Sequence, residues 1–431
     1  MELNQALKKQ MKQVLTVIMA LAFIVPVSAQ VAKENLRPAA VGKKGMVAAA
    51  NPLASLAGQK ILAKGGNAID AIVAAAASLN AVEPYMSGTA GVGYMLFYSA
   101  KDNKVRSLVF GGWVPESFDP QSLAADSRVA DGAGHGAIET VGPRIVAVPG
   151  NLAGWNRALQ DYGTMSLSEV FEPAIEYLEN GVPITEFDQA MWRGTLSRVK
   201  PHPESVKLLL KENDQPYEIG DYFTNKPLAK TMRRIAEEGA DVFYKGELAE
   251  EIAAAFKRDG GFITVKDLAA VPDKVQWKEP LSINYRGYTV YNNPPPGMGI
   301  QQLQTLKIME GFDLQAMGHN SVEYLAHLFE AVYLSRLDTD KYVGDPDYVD
   351  VPTDMLLSDD YIAKQREKVV ARVKARKAGN WQGLGELTVS EPLAQVWDDK
   401  YQYATTSLSA ADQWGNVVVI TQTHGGGFGS G

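Results

Sequence analysis

Between Ala68 and about Ala81 the chain is almost wholly Ala, Val, Ile and Leu. A helix that is apolar on every face has no side to offer water, so it must be covered on all sides by a layered fold. Asn67 is a good cap for its start, and Asp70 lies near the positive end of the helix dipole. A helix from about Pro52 to Lys64 precedes it and stops at the Gly65-Gly66 pair. The two predict a helical hairpin packed against a sheet. Gly45–Ala50 reads as a short buried strand. Tyr94–Tyr98 reads as another, entered through the Gly-rich loop Ser87–Gly93. From Pro149-Gly150 to about Gly260 the pattern is helical, broken at Gly181-Val182-Pro183 and Pro201-His202-Pro203. Strands return at Val275–Trp277 and Tyr285–Tyr291, and a helical stretch runs from Gln301 to about Tyr342. The basic stretch 363–384 reads as a surface helix and linker, and 121–143 as a Gly-, Ala- and Asp-rich loop. Strands at both ends around a helical middle predict one layered α/β fold.

The 431 residues, 46% hydrophobic and 21% charged, leave ample core. Residues 1–29 read as a signal peptide rather than as part of the fold. Lys8, Lys9 and Lys12 precede an apolar run from about Val14 to Val25, and Val27-Ser28-Ala29 offers small residues for cleavage. That run is short for a membrane span, so no anchor is expected after cleavage, and the expected location is periplasmic or extracellular. Without it the chain carries 39 basic and 49 acidic residues, a net charge of −10 against −8 for the whole. An acidic chain without a long basic run argues against nucleic-acid and anionic-membrane partners. With no cysteine, the chain has neither disulfides nor thiol chemistry.

Near the end, Tyr403-Ala404-Thr405-Thr406-Ser407-Leu408-Ser409 and the alternating Val417–Thr423 flank Asp412-Gln413-Trp414-Gly415-Asn416, a hairpin turn. The return strand brings Thr423 back beside Thr405. A threonine hydroxyl is a poor nucleophile until a base takes its proton. If the Ala404–Thr405 bond breaks, Thr405 gains a free α-amino group with a pKa of roughly 7.7–8.0, well placed to be that base. Cleavage would use the same hydroxyl: Thr405 attacks the Ala404 carbonyl, the acyl group shifts to oxygen, and water hydrolyses the ester. On local pattern alone, both threonines also suit ordinary strand positions.

The wider sequence resembles the γ-glutamyltranspeptidase family from about residue 36 to its end. The matching blocks are Gly65–Ala71, Ala147-Val148-Pro149-Gly150, Tyr244–Ala249, Pro294-Pro295-Pro296 with Gly299, and Gly344-Asp345-Pro346-Asp347. The resemblance implies a four-layer αββα sandwich of the N-terminal nucleophile (Ntn) hydrolase type. It implies a large-subunit region over 30–404 and a small-subunit region starting at Thr405, both from one precursor. It also implies transfer or hydrolysis of γ-glutamyl groups from glutathione-like donors, with Thr405 and Thr423 catalytic and no cofactor. The small substrate would be a γ-glutamyl or related amide.

Three departures bear on this. Gly111, in Val109-Phe110-Gly111-Gly112-Trp113, stands where the family carries an arginine that clamps the donor α-carboxylate, and such a bidentate pair is hard to replace. Gly425 stands at the substrate-binding position where the family's Asn helps hold the donor amino group; His424 and Arg106 are candidates to compensate. Family small subunits also continue well beyond Gly431 and carry their oxyanion-hole glycines there, so the fold is expected to be incomplete at the C-terminus. Two alternatives therefore stand: an acylase or amidohydrolase of the same family with a non-glutamyl substrate, and an inactive truncated precursor. Other motifs carry less. Gly427–Gly431 has no following helix and does not make a dinucleotide loop. His319, Glu323 and His327 read as a helix capped by Asn320 rather than a metal face, and no metal site is expected.

Overall fold

The computed structural model describes residues 40–119, 142–379 and 403–431. The signal-peptide reading at 1–29, nearly all of the 121–143 loop and the end of the basic linker lie outside the described residues. The unit built by Lys43–Gly431 holds everything that follows.

Its centre is a six-stranded antiparallel sheet. The strands are β1 (Gly45–Ala48), β2 (Val92–Ser99), β3 (Lys104–Phe110), β4 (Gln276–Lys278), β7 (Tyr403–Asp412) and β8 (Val417–Gly426), in the order β1-β7-β8-β2-β3-β4. A separate hairpin pairs β5 (Leu281–Tyr285) with β6 (Tyr288–Asn292). The last two strands in sequence thus occupy the middle of the sheet, between strands laid down more than 300 residues earlier. Asp412 closes their hairpin by accepting from Trp414 N and Asn416 N, and its other oxygen accepts from Ala68 N.

On one face lie α1 (Pro52–Ala63) and α2 (Ala68–Val82), with α3 (Asn151–Tyr162) and α4 (Leu167–Asn180) beside them. All fifteen residues of α2 are buried, as an all-apolar helix requires. Asn67 and Asp70 form a full capping box, and Asp70 also accepts from Thr164 N and Thr164 Oγ1. The strands alternate with the period of two that a half-covered sheet demands. Met95, Phe97, Leu408, Ala410, Val418 and Ile420 face the helices, and Ser407, Val417, Val419 and Thr421 face away. Of the four layers the resemblance implies, the described residues form this sheet and its helical layer.

The middle of the chain adds α5 (Glu186–Gly194), α6 (Lys226–Glu238), α7 (Glu247–Arg258) and α8 (Val265–Lys274), which extend the main core. The predicted helical stretch from Gln301 to Tyr342 is two long helices, α9 (Gly299–Glu310) and α10 (Val322–Tyr342), with one short helical turn, Leu314–Met317, between them and breaks at Gly311 and the positive-φ residues Gly318 and Asn320. They pack with α11 (Asp359–Lys377) around a second core of Ile308, Met309, Ala331, Leu334, Ile362, Val369 and Val373. The α10 cap is Ser321, which accepts from Tyr324 N, not Asn320 as the sequence suggested. Asn320 takes a φ of 53° one residue earlier, unlike the extended backbone a cap requires. His319 lies outside the helix, and Glu323 pairs with Lys377.

Candidate active site

Thr405 and Thr423 are direct cross-strand partners on β7 and β8. The alternation that buries Ala404 and Thr406 against the helices turns Thr405 to the open face of the sheet, where it is exposed. Four groups are joined there. Thr405 Oγ1 donates to Thr423 Oγ1 at 3.1 Å, and Gly425 N donates to the same oxygen at 2.7 Å. Thr423 Oγ1 donates in turn to the carbonyl oxygen of Ala404. One hydroxyl therefore touches both the Thr405 hydroxyl and the carbonyl that precedes it. A donor on that oxygen stabilises the negative charge that builds there when the carbonyl is attacked.

The backbone around Gly425 makes this possible. The register of β7 against β8 shifts between Thr423 and Gly425, a bulge that turns the Gly425 N–H back toward Thr423. Gly425 has a φ of 90°, where a side chain is strained, although the space beside it is open.

Beneath the threonines, on the helix side, lies a buried polar layer. Gln422 accepts from Trp155 Nε1 at 3.2 Å. Asn80 and Thr89 bond to each other, and Asn151 donates to the Gly88 carbonyl. Glu83, which ends α2, is buried, and desolvation pushes its carboxyl up to about 7 despite the nearby Thr406 hydroxyl. The segment from Tyr85 to Met86 is tied to the end of β8 by His424 N to the Met86 carbonyl and Phe428 N to the Tyr85 carbonyl. Tyr85 donates to Asp188 at 2.5 Å, and burial raises its phenol pKa above the usual range.

The residues expected to compensate for the missing clamp are turned elsewhere. The His424 ring packs against Gly88 and Gly91, and burial lowers its pKa to about 4, opposed by a hydrogen bond with the Pro84 backbone. It is a neutral imidazole under the strand end. Arg106 sits on the helix face of β3, paired with Asp102 at 3.1 Å and stacked over Tyr162. Gly111 does lie one strand away from the threonines, since Val92 beside it faces Thr423. At a φ of 134°, a Cβ there would meet the Val92 side chain at 2.5 Å, so the backbone itself calls for glycine. Sequence reasoning missed Glu83, Asp188 and Gln422. The available signal for Glu83 was an acid placed directly after an all-apolar helix. Among the described residues no cluster of acids and histidines could hold a metal ion.

The helix-covered antiparallel sheet, with a threonine pair on its two central strands, has the fold class of the Ntn hydrolases. The family description "Gamma-glutamyltranspeptidase" matches residues 54–431. The chain belongs to the γ-glutamyltranspeptidase family. A glutathione hydrolase proenzyme of Bacillus subtilis is 36% identical over 406 residues, an alignment that spans 91% of this chain and 66% of the relative. The chain thus spans just under two thirds of that protein's length. The structure of cephalosporin acylase from Bacillus halodurans superposes with a TM-score of 0.73 at 31% identity, over 92% of this chain and 69% of that one. That of Helicobacter pylori γ-glutamyltranspeptidase gives 0.71 at 33% identity, over 77% and 93%. Glutathione hydrolases and acylases both stand among its relatives, and among the described residues no helix is long and apolar enough to cross a membrane.

Proposed function

We propose that this chain is an exported, self-processing amide hydrolase and acyl transferase that uses Thr405. In the uncleaved chain the Thr405 hydroxyl attacks the Ala404 carbonyl. A C–O bond forms, the Ala404–Thr405 C–N bond breaks, and the nitrogen takes a proton. Water then hydrolyses the ester, leaving an Ala404 carboxylate and a free Thr405 amine. That amine serves as the base for later rounds, in which Thr405 carries the substrate's acyl group as an ester and passes it to water or an acceptor amine. Thr423 polarises the attacked carbonyl, and Gly425 holds Thr423 through its backbone N–H. The reaction so written needs no cofactor. The observation that carries this reading is the hydrogen-bonded set of Thr405, Thr423, the Ala404 carbonyl and Gly425 N.

The donor we assign first is a γ-glutamyl amide such as glutathione, on the strength of the family and the glutathione hydrolase relatives. Gly111 favours a second reading, an acylase for acyl groups without an α-carboxylate, and the cephalosporin acylase likeness supports it. A γ-glutamyl anilide and the corresponding butyryl anilide differ only in the α-amino and α-carboxylate groups. A kcat/KM ratio of about 100 or more for the glutamyl compound fits a site that holds both charges, each worth roughly 1.5–3 kcal/mol. A ratio near or below 1 assigns the site to the acylases.

A further inference from the structure

Thr423 reaches the Ala404 carbonyl only while the end of β8 keeps its place. Gln422, the residue before it, points the other way, toward the helices. It is fully buried, between Thr406 of β7 and Gly93 of β2 as cross-strand neighbours. A polar side chain in such a place has to be paired. Gln422 Oε1 accepts from Trp155 Nε1 at 3.2 Å, and its Nε2 meets the Ala76 carbonyl of α2 at the long distance of 3.5 Å. Trp155 is itself fully buried, one turn after Asn151 on α3.

The start of α3 grips the same strand at a second point. Gly150 N and Asn151 N both donate to the Gly91 carbonyl, and Asn151 Nδ2 donates to the Gly88 carbonyl at 2.7 Å. Gly91 lies so close to β8 that a Cβ on it would meet the Thr423 carbonyl oxygen at 2.6 Å. Beyond Thr423, His424 N donates to the Met86 carbonyl at 3.0 Å. The Thr423 backbone is therefore held between a loop and a side-chain tether, both built on α3. The loop contacts are largely backbone-made, and the tether is Gln422.

We propose that Gln422 is a positioning residue for self-cleavage: its amide, held by the Trp155 indole, fixes β8 so that Thr423 Oγ1 reaches the Ala404 carbonyl. The proposal rests on the Thr405 reading above. Reacting groups need support from the residues behind them, and a shift of about 1 Å can cost on the order of 100-fold in rate. A Gln422 that only satisfied the indole would leave Thr423 where it is.

Two measurements test this, with Gln422→Met, which keeps the length and loses the amide. The first is residue-level hydrogen exchange in the Thr405→Ala chain, so it does not depend on cleavage. The Gly425 amide donates to Thr423 Oγ1, so Gln422→Met should speed its exchange about tenfold and leave the buried mid-strand amide of Val418 within about twofold. An unchanged Gly425 amide, or equal acceleration at both, overturns the proposal. The second times self-cleavage of full-length precursor from cell-free synthesis by intact mass. Gln422→Met should slow wild type about tenfold but a Thr423→Ala chain less than about twofold, because the tether acts through Thr423. The same factor in both backgrounds overturns the proposal. Where Thr423→Ala is too slow to time, the exchange comparison decides alone. If the wild-type chain does not cleave, the Thr405 reading fails and the purpose assigned to Gln422 falls with it, whatever the exchange result.

Discussion

Thr423 Oγ1 accepts from Gly425 N and Thr405 Oγ1 and donates to the Ala404 carbonyl, so its removal disturbs three contacts at one position. Thr423→Ala should slow self-cleavage by about 10²–10³, the effect of deleting one donor to a developing oxyanion. Thr423→Ser, which keeps the hydroxyl, should stay within about tenfold; gel densitometry of precursor and products measures both. The part of this arrangement that was legible in the sequence is the pairing of the threonines, because a strand, a tight turn and a return strand fix the register. The part that was not legible is the bulge at Gly425, which aims its N–H at Thr423 by a φ that only the backbone reveals. The orientation of His424 was hidden for the same reason. Alternation alone does not tell which way a residue points at a bulge.

At the scale of elements, two desolvated groups shifted in opposite directions make stability respond to pH. Glu83 has its folded pKa raised to about 7 from 4.5, so the folded state holds the extra proton and stability falls as pH climbs from about 4.5 to 7. His424 has its folded pKa lowered to about 4 from 6.5, so its contribution is complete above about 6.5 and is lost as pH falls toward 4. Between about pH 4.5 and 6.5 the two slopes oppose each other, and the wild-type urea midpoint should change little. Glu83→Gln leaves the His424 slope alone, so the variant's midpoint should rise with pH over that window. A midpoint that falls with pH in Glu83→Gln contradicts the assignment of these groups. The capping box at α2 gives a simpler test. Asn67 accepts from Ile69 N and Asp70 N and donates to the Tyr162 carbonyl. Asn67→Ala should cost about 1–2 kcal/mol, read from the same urea midpoint at constant m-value. This helix was legible because its apolar run and cap are local signals. The split between α9 and α10 was not, because helical periodicity resumes in the same style on both sides of Gly311–Asn320.

Across the whole molecule, two cores share the work. The sheet and α1–α8 hold the threonines. The packing of α9, α10 and α11 is a separate cluster, locked by Glu330, which is 2% exposed and bonded to both Arg372 and Arg376. Removing one partner from a buried ion cluster typically costs about 3–5 kcal/mol. Glu330→Ala should therefore speed hydrogen exchange in α10 and α11 while leaving the amides of β7 and β8 protected; equal loss in both would mean a single cooperative unit. The layered α/β class was readable from strands at both ends of the chain. The central position of the last hairpin was not, since pairing β1 with β7 and β2 with β8 joins residues separated by most of the sequence.

In the proposed reaction, Thr405 becomes a new N-terminus by its own chemistry. Intact mass of the purified chain, beside a Thr405→Ala control, tests it most directly. Two polypeptides dividing between Ala404 and Thr405 are expected in the wild type, and one uncut chain in the control. A single uncut mass for both, or a cut at the same bond in Thr405→Ala, would contradict it.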